Sequence, residues 1–544
     1  MKILIIVPKY NLHSNKPFTY FMPLGILHVS SYLRSKGFDV HPLNLNHYDD
    51  DKLKETLCGN HYDVICTGGI FTQIKPILHV IEMSRKYHSQ AKIVVGGGIA
   101  SGDPEFAFEI LRPDYLVLGE GELTMENLLR AIDRGQEQDI CKVKGIAVIN
   151  DGILLRTESQ PVIHDLDALP YPDYDGFEYA HYLKHHVVID NSFELIMDLN
   201  NRRVAHVSSS RDCALKCTFC FRIMGGEYRV RSIDSVIFQI KYLIDNYQIN
   251  EVVLLDEMFS KDEERVFEFC EKIKPLNLIW NAQMRVNNIT EKMLCQMKDA
   301  GCYLVSYGFE SASKRVLKSM KKGITVEQIS NAIEWTRKVK MTVQGNFIFG
   351  DPVETLETAE ETFRFLRKYK NINISYGFIL PFPGTVLYYN LKTKGAFKDL
   401  MNFYENSGSE DNLKNMTKLS KIDFRYLCRR VHQEQSINFA SSHVIRSRHI
   451  SKNLFDLVVE CCNCKETVQF QLDIEKKRRM VCKYCYQRIN VLKIDVKFSL
   501  SEFLNRIYRN YIAGIVISNP IVHKAFSYWI LEGYRKMKRL RALD

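Results

Sequence analysis

A chain of 544 residues with 46% hydrophobic and 25% charged residues has the make-up of an ordinary folded protein, which excludes a disordered or collagen-like chain. It has room for about three or four domains, and with no run of about 18 apolar residues it is not expected to span a membrane. Its net charge of +10 is lopsided: residues 401–544 hold 26 Lys/Arg against 14 Asp/Glu, leaving 48 against 50 in the first 400. That asymmetry suits an anionic partner for the C-terminal quarter, a nucleic acid or a membrane surface, although solvated basic surface is the plainer reading. The first residues, Met1-Lys-Ile-Leu-Ile-Ile-Val-Pro8, are too short for a signal peptide and read as a buried strand. With 15 cysteines and no secretory signal, reduced thiols serving as metal ligands in the cytoplasm are expected.

Residues 1–135 alternate β-branched runs (2–7, 40–45, 64–68, 93–97 and 115–119) with amphipathic stretches (24–35, 76–87 and 122–132). This predicts a doubly wound, Rossmann-like parallel sheet covered on both faces. Such sheets bind ligands at the carboxyl ends of their strands. There the chain places Thr67-Gly68-Gly69, Gly96-Gly97-Gly98 and Gly119-Glu120-Gly121-Glu122, where glycines let a backbone approach a large flat ligand closely. Residues 136–200 read as a linker, because Pro161, Pro170, Pro172 and the string Leu169-Pro-Tyr-Pro-Asp-Tyr-Asp-Gly176 interrupt any periodicity.

Residues 201–400 again alternate strand and helix, with strands expected at 204–209, 251–255, 278–283, 303–307, 343–349 and 374–378. Six such units predict an incomplete (β/α)6 barrel with its reactive residues at the strands' C-terminal ends. Cys213, Asp256, Glu257, Gln283, Glu310 and Gly350 fall at those ends. The first is the start of Cys213-Ala-Leu-Lys-Cys217-Thr-Phe219-Cys220. Three thiolates this close hold three irons of an iron–sulfur cube and leave the fourth open, whereas structural clusters normally take four cysteines.

The triplet, with an aromatic residue before its last cysteine, resembles the signature of the radical S-adenosylmethionine enzymes. In that family Cys213, Cys217 and Cys220 would hold a 4Fe-4S cluster whose open iron chelates S-adenosylmethionine. The likeness continues in order along the chain. It implies S-adenosylmethionine contacts from Phe219, from Asp256 and Glu257 at the amino end, and from Arg285 at the carboxylate. Glu310 and Ser311 would meet the ribose, and Gly350, within Asn346-Phe-Ile-Phe-Gly350, would lie near adenine. Val95-Gly-Gly-Gly98 and Leu118-Gly-Glu-Gly-Glu122 make the first 135 residues resemble the cobalamin-binding domain of one large subfamily of these enzymes, the class B type methyltransferases. That resemblance implies cobalamin contacts from Thr67, Gly68, Gly96, Gly97 and Glu120. The Asp-x-His-x-x-Gly motif of many cobalamin proteins is replaced by Asn11-Leu-His13-Ser-Asn-Lys16, so His13 is read as a loop histidine and the lower cobalt ligand stays open.

Beyond residue 400 the expected order is a helical connector (401–454), a zinc ribbon (455–495) and a basic, aromatic helical tail (496–544). Cys461, Cys464, Cys482 and Cys485 form two C-x2-C pairs on β-like sequence, which suits structural zinc, with an auxiliary iron–sulfur cluster as the rival. Lys476-Lys-Arg-Arg479 and the segment ending Arg539-Leu-Arg541 are candidate anion-binding elements.

These readings converge on an enzyme that uses both cofactors to methylate an unactivated carbon and draws electrons from a flavodoxin or ferredoxin. The cofactors carry the hard chemistry, so no catalytic side chain is assigned beyond the cluster ligands. Cobalamin-dependent cyclisation or oxidation is the nearest alternative. A methylthiotransferase acting on RNA or protein needs three more cluster cysteines, for which Cys58, Cys66 and Cys141 are poorly spaced. A nucleic-acid-binding or assembly factor with a structural cluster is the non-enzyme alternative.

Overall fold

The computed structural model describes residues 1–489 except 11–19, 50, 136, 186–202, 223–224, 370–371, 406–412, 438–442, 452–453, 474–479 and 486–487. His13, the basic tip 476–479 and the tail 496–544 therefore lie outside the described residues.

The N-terminal sheet is built from β1 (Lys2–Val7), β2 (Asp39–Asn44), β3 (Val64–Gly68), β4 (Lys92–Gly96), β5 (Tyr115–Val117), β6 (Ile146–Asn150) and β7 (Ile153–Arg156), in the order 2-1-3-4-5-6-7. The first five are parallel. Ile3 to Val7 are all buried, as a strand covered on both faces requires. Helices Leu24–Ser35 and Gly121–Asp133 pack together over one face, and the chain order reverses between β1 and β3. The five parallel strands of this seven-stranded sheet are thus of the doubly wound kind, with the crevice at that reversal.

The stretch expected as a linker contributes two strands. β6 pairs antiparallel with β5, and β7 with β6, through a two-residue turn in which Asp151 and Gly152 both have positive φ (50° and 76°). Asp-Gly is the dipeptide such hairpin turns prefer. The rest of this stretch ties the two halves of the molecule together. Asp173 accepts from Ser30 Oγ (2.7 Å) and Arg34, while the Tyr171 hydroxyl donates to the Ser235 carbonyl at 3.1 Å. Tyr174, Tyr179, Tyr182 and Tyr247 fill the space between.

The second sheet begins at β8 (Val204–Val207), from which β9 (Ser210–Arg211) and β10 (Arg229–Val230) branch as a small hairpin. It continues through β11 (Glu251–Leu254), β12 (Ile279–Met284), β13 (Cys302–Glu310), β14 (Thr342–Phe349) and β15 (Asn373–Phe378). All six main strands are parallel and lie in chain order, β8-β11-β12-β13-β14-β15. Their outer face buries Trp280, Phe259 and Phe269 against the crossover helices, with the indole N–H of Trp280 donating to the Ala300 carbonyl at 2.8 Å.

After β15 the chain returns to the first domain. Helices Val386–Thr393 and Leu400–Glu405 bring Tyr388, Phe403 and Tyr404 into the core of the N-terminal sheet, where Tyr404 stacks on Phe106 at 4.4 Å. Lys392 Nζ lies 2.6 Å from a carboxylate oxygen of buried Asp103, which also accepts the Tyr388 hydroxyl. Helix Lys421–Ile437 then packs on β15. The described chain ends in an antiparallel sheet of β16 (His443–Ser451), β17 (Leu454–Glu460) and β18 (Thr467–Asp473), followed by the pair β19 (Met480–Val481) and β20 (Arg488–Ile489). Among the described residues no helix is long and apolar enough to cross a membrane.

Candidate active site

The cysteine triplet follows β8 and β9 in a loop held at several points by its neighbours. Asp256, 1% exposed, accepts the backbone N–H groups of Ser209 (2.7 Å) and Ser210 (3.0 Å) as well as the Ser209 hydroxyl. Burial raises its carboxyl above the ordinary aspartate range, and these three donors oppose that rise. Asp212 takes a left-handed φ of 64° and accepts the N–H groups of Cys213 (2.7 Å) and Gly226. Arg222 reaches back to the Leu215 carbonyl at 2.7 Å, and Thr218 N–H bonds the Met320 carbonyl at 3.1 Å.

Within this loop the three sulfurs face different neighbours. Cys213 Sγ is 3.2 Å from Met258 Sδ, Cys217 Sγ is 3.8 Å from the Lys321 carbonyl, and Cys220 Sγ is 3.8 Å from the Phe221 carbonyl. Burial pushes the Cys220 thiol up to about 12, with the charges of Glu257, Cys217 and Cys213 adding to it and Lys322 opposing. Cys213 is raised in the same direction, by burial first and then by Glu257 and Cys217. Thiols that repel one another's ionisation give up their protons together to a multivalent cation, so the donor set fits an iron–sulfur cluster.

Around the triplet the sheet's C-terminal edge gathers charged groups. Glu257 is exposed, its carboxyl raised by desolvation and by the charge of Asp212. Arg285 is held by Lys322 O (2.6 Å) and Asn287 Oδ1 (3.1 Å). Glu310 has a left-handed φ of 64° at a break in the β13–β14 register, and its carboxylate accepts Lys322 Nζ at 2.8 Å. This ion pair lies directly over Gly308, where a Cβ would stand 2.4 Å from Glu310 Oε1 and 2.7 Å from Lys322 Nζ. Lys322 also sits 5.9 Å from the Phe219 ring. Sequence reasoning missed this lysine, because Lys321-Lys322-Gly323 has the look of an ordinary charged helix end. Gln283 is exposed on the same edge. Ser311 and Gly350 have protein partners: Ser311 Oγ meets Thr362 Oγ1 at 3.2 Å, and Gly350 N–H donates to Glu354 Oε2 at 2.8 Å.

The carboxyl edge of the N-terminal sheet is made of backbone. A Cβ on Gly68 would stand 2.5 Å from the Gly96 carbonyl oxygen, and one on Gly97 (φ 84°) would stand 2.9 Å from that of Gly69. The loops after β3 and β4 therefore lie backbone on backbone and present a rim with few side chains, which fits the close approach of a large cofactor. Thr67 Oγ1 donates to the Ile6 carbonyl at 3.1 Å. Glu120 is 8% exposed, and its carboxylate meets Arg211 (3.1 Å), Arg229 (2.9 Å) and the Ile163 N–H (2.9 Å). Glu122 accepts the other arm of Arg211 at 2.6 Å. These ion pairs fasten the loop after β5 to the β9–β10 hairpin beside the cysteines. Phe221, next to Cys220, fills the remaining gap between Gly98 and Gly384.

At the C-terminal end, Cys461, Cys464, Cys482 and Cys485 bring four sulfurs within 4.8 Å of one another. Cys461 and Cys485 are 3.7 Å apart and Cys464 and Cys482 3.5 Å apart. Asn463 N–H points at Cys461 Sγ (3.4 Å), and Lys465 turns the chain at φ 65°.

Two family models match the chain, the Radical SAM superfamily over residues 207–366 and the B12 binding domain over residues 15–129. An uncharacterized methyltransferase of Pyrococcus horikoshii, PH0819, is 29% identical over 398 residues, 71% of this chain and 82% of its own. The anaerobic magnesium-protoporphyrin IX monomethyl ester cyclase of Rubrivivax gelatinosus is 28% identical over 405 residues, 72% of this chain and 70% of its own. In fold, the chain is similar to the radical S-adenosylmethionine methyltransferase TsrM of Kitasatospora setae, with a TM-score of 0.60 at 18% identity over 73% of this chain and 79% of that one. A radical SAM domain implies a 4Fe-4S cluster and S-adenosylmethionine, and a B12-binding domain implies cobalamin. With both domains matched and their loops meeting at Phe221 and Glu120, the chain belongs to the radical SAM enzymes that carry a B12-binding domain.

Proposed function

We propose that this enzyme is a cobalamin-dependent radical S-adenosylmethionine methyltransferase acting on an unactivated carbon. The observation that carries the reading is the junction of the two cofactor-side loops: Arg211, two residues before Cys213, grips Glu120 and Glu122, and Phe221, one residue after Cys220, packs on Gly98. When bound, the cluster supplies the electron that splits S-adenosylmethionine into a 5′-deoxyadenosyl radical, and cobalamin supplies the methyl group. The protein's part is to hold and to orient. Cys213, Cys217 and Cys220 take three irons. Arg285, joined by Lys322, holds the carboxylate of S-adenosylmethionine, and Glu257 holds its amino group while Asp256 braces the loop from beneath. Phe219 walls the site; Glu310, paired with Lys322, and Ser311 stand on the ribose side, and Gly350 shapes the adenine side. Thr67, Gly68, Gly96 and Gly97 form the backbone rim for cobalamin, and Glu120 locks that rim to the cluster loop.

Cys461, Cys464, Cys482 and Cys485 hold zinc in this reading. Four thiolates about 2.3 Å from one zinc ion stand about 3.8 Å apart in a tetrahedron, close to the 3.5 and 3.7 Å separations. A cubane cluster gives each cysteine a different iron and spreads the sulfurs wider.

The test is reconstitution under anaerobic conditions with iron, sulfide and hydroxocobalamin, followed by assay of 5′-deoxyadenosine and retained corrinoid. Both are expected, and nucleoside without corrinoid defeats the methyl-transfer reading. Ring closure is the second reading, favoured by the likeness to the Rubrivivax gelatinosus cyclase. A methylthiotransferase is disfavoured because Cys66 is buried inside β3, its thiol pushed up to about 12, while Cys58 is exposed on helix Lys52–Gly59.

A further inference from the structure

Helix Lys421–Ile437 has two unlike faces. Phe424, Leu427, Val431 and Glu434 are buried on the side that packs on β15 and helix Leu356–Lys368, while Lys421, Ile422, Arg425, Tyr426 and Arg429 are exposed. Spacings of three and four residues put those five on one outward stripe. Its first turn lies at the mouth of the barrel, because the Phe424 ring meets that of Phe378, the last residue of β15, at 5.8 Å.

The stripe carries positive charge that nothing beside it cancels. Arg425 and Arg429 make no ion pair or hydrogen bond among the described residues. Of the nearby carboxylates, Glu360 and Glu434 are held by Arg367 and Arg430, and Asp423 accepts the Ser420 hydroxyl at 2.7 Å. The outward face of helix Leu356–Lys368 sets Glu357 and Glu361 against Arg364 and Lys368, which leaves it neutral. The stripe is also apolar, with Ile422 79% exposed and Tyr426 52%. The same mixture recurs on β16, where Ile445, Ile450, Arg446 and Arg448 are exposed. A nucleic acid would take the cations and stack on the tyrosine but leave these isoleucines in water. A stable protein interface needs about 800 Å² on each partner around a buried core, more than one convex stripe presents. Residues 496–544 hold 9 Lys/Arg against 3 Asp/Glu, so like charge keeps that segment away. An anionic lipid surface receives both kinds of side chain, its headgroups meeting the cations and its interfacial layer the aliphatics.

We propose that this stripe docks the enzyme reversibly on an anionic lipid bilayer, with the mouth of the barrel beside the membrane surface. Attachment is peripheral: Ile422 and Tyr426 reach the interfacial layer between the cations, and no helix among the described residues is long and apolar enough to cross it.

The test is co-sedimentation of the full-length holoenzyme with extruded vesicles of phosphatidylcholine, alone or mixed equally with phosphatidylglycerol. Binding to the mixed vesicles and not to the neutral ones is expected, weakening as salt is added. Arg425→Gln should lower the affinity about fivefold, and the double variant with Arg429→Gln about 25-fold. Ile422→Ser should lower it about threefold, by a factor that salt leaves unchanged. All three variants are expected to keep the wild-type unfolding midpoint, since these side chains face solvent. Wild-type protein that ignores the mixed vesicles, or variants that bind them as the wild type does, overturns the proposal. So does a fluorescein-labelled oligouridylate that binds more tightly than the vesicles and is lost in the arginine variants, which assigns the stripe to nucleic acid. Binding needs no turnover, so these outcomes are separate from those that test the methyl-transfer reading.

Discussion

Cys461, Cys464, Cys482 and Cys485 ride on the turns of a small antiparallel sheet, and their sulfurs lie within 4.8 Å of one another. Cys213, Cys217 and Cys220 come from a single loop pinned by Asp212, Arg222 and Asp256, and each sulfur looks toward a different neighbour. In the tetrad the local backbone makes the geometry: Cys461 N–H bonds the Glu466 carbonyl (2.9 Å) and Lys465 N–H the Cys461 carbonyl (3.0 Å). The triplet's geometry is imposed from outside, by strands β11 and β13 and by the N-terminal domain. On the zinc reading, a closed tetrad is built by its own two turns, whereas a site that must leave one position open for a ligand is shaped by everything around it.

Substitutions test that contrast. Cys217→Ala is expected to remove the triplet's cluster, seen as loss of visible absorbance, and to lower 5′-deoxyadenosine formation roughly a thousandfold or more. Zinc content should stay unchanged, and joint loss of both metals would break the contrast. Cys482→Ala should do the reverse, releasing zinc and loosening the C-terminal sheet by about 3 kcal/mol or more, with nucleoside formation retained; metal analysis and limited proteolysis read the two effects. Glu120→Gln removes one charge from the buried cluster with Arg211 and Arg229 and should cost about 3 kcal/mol in chemical denaturation. Because these pairs bind the B12-side rim to the cysteine loop, corrinoid retention should fall with it, while an unchanged denaturation midpoint would show that the two rims are set independently.

A smaller effect concerns Glu354, which anchors Gly350 at the end of β14. Burial pushes its carboxyl up to about 7 from an ordinary value of 4.5. The folded state then holds a proton that the unfolded state has lost between those values, so this group's stability contribution falls as pH rises through that window. Glu354→Gln should flatten the decline by about 2 kcal/mol, measured as the difference in unfolding free energy between the variant and wild type at pH 5 and pH 8.

The parallel strands of both sheets were legible in the sequence because strands buried on both faces leave long apolar runs such as Ile3–Val7 and Val252–Leu254. The cysteine spacings were equally plain. The β6–β7 hairpin was announced by Asp151-Gly152 but was obscured by the prolines that follow it. What sequence could not carry is pairing across distance. Glu120 reads as a loop carboxylate at a sheet edge, and only the fold brings Arg211 and Arg229 to it, 91 and 109 residues away. Lys322 gains its place beside Cys220 from a turn after helix Lys314–Ser319, whose charged residues give no hint of direction.

The return of Val386–Thr393 and Leu400–Glu405 to the N-terminal core makes the two domains interleaved in sequence. Cutting the chain near residue 200 would strip Tyr388, Phe403 and Tyr404 from the first domain's core and leave Asp103 buried without Lys392. The cobalamin module is therefore not exchangeable as an N-terminal cassette: it carries its closing piece downstream of the radical domain, and the two are expected to melt as one cooperative unit, visible as a single calorimetric transition.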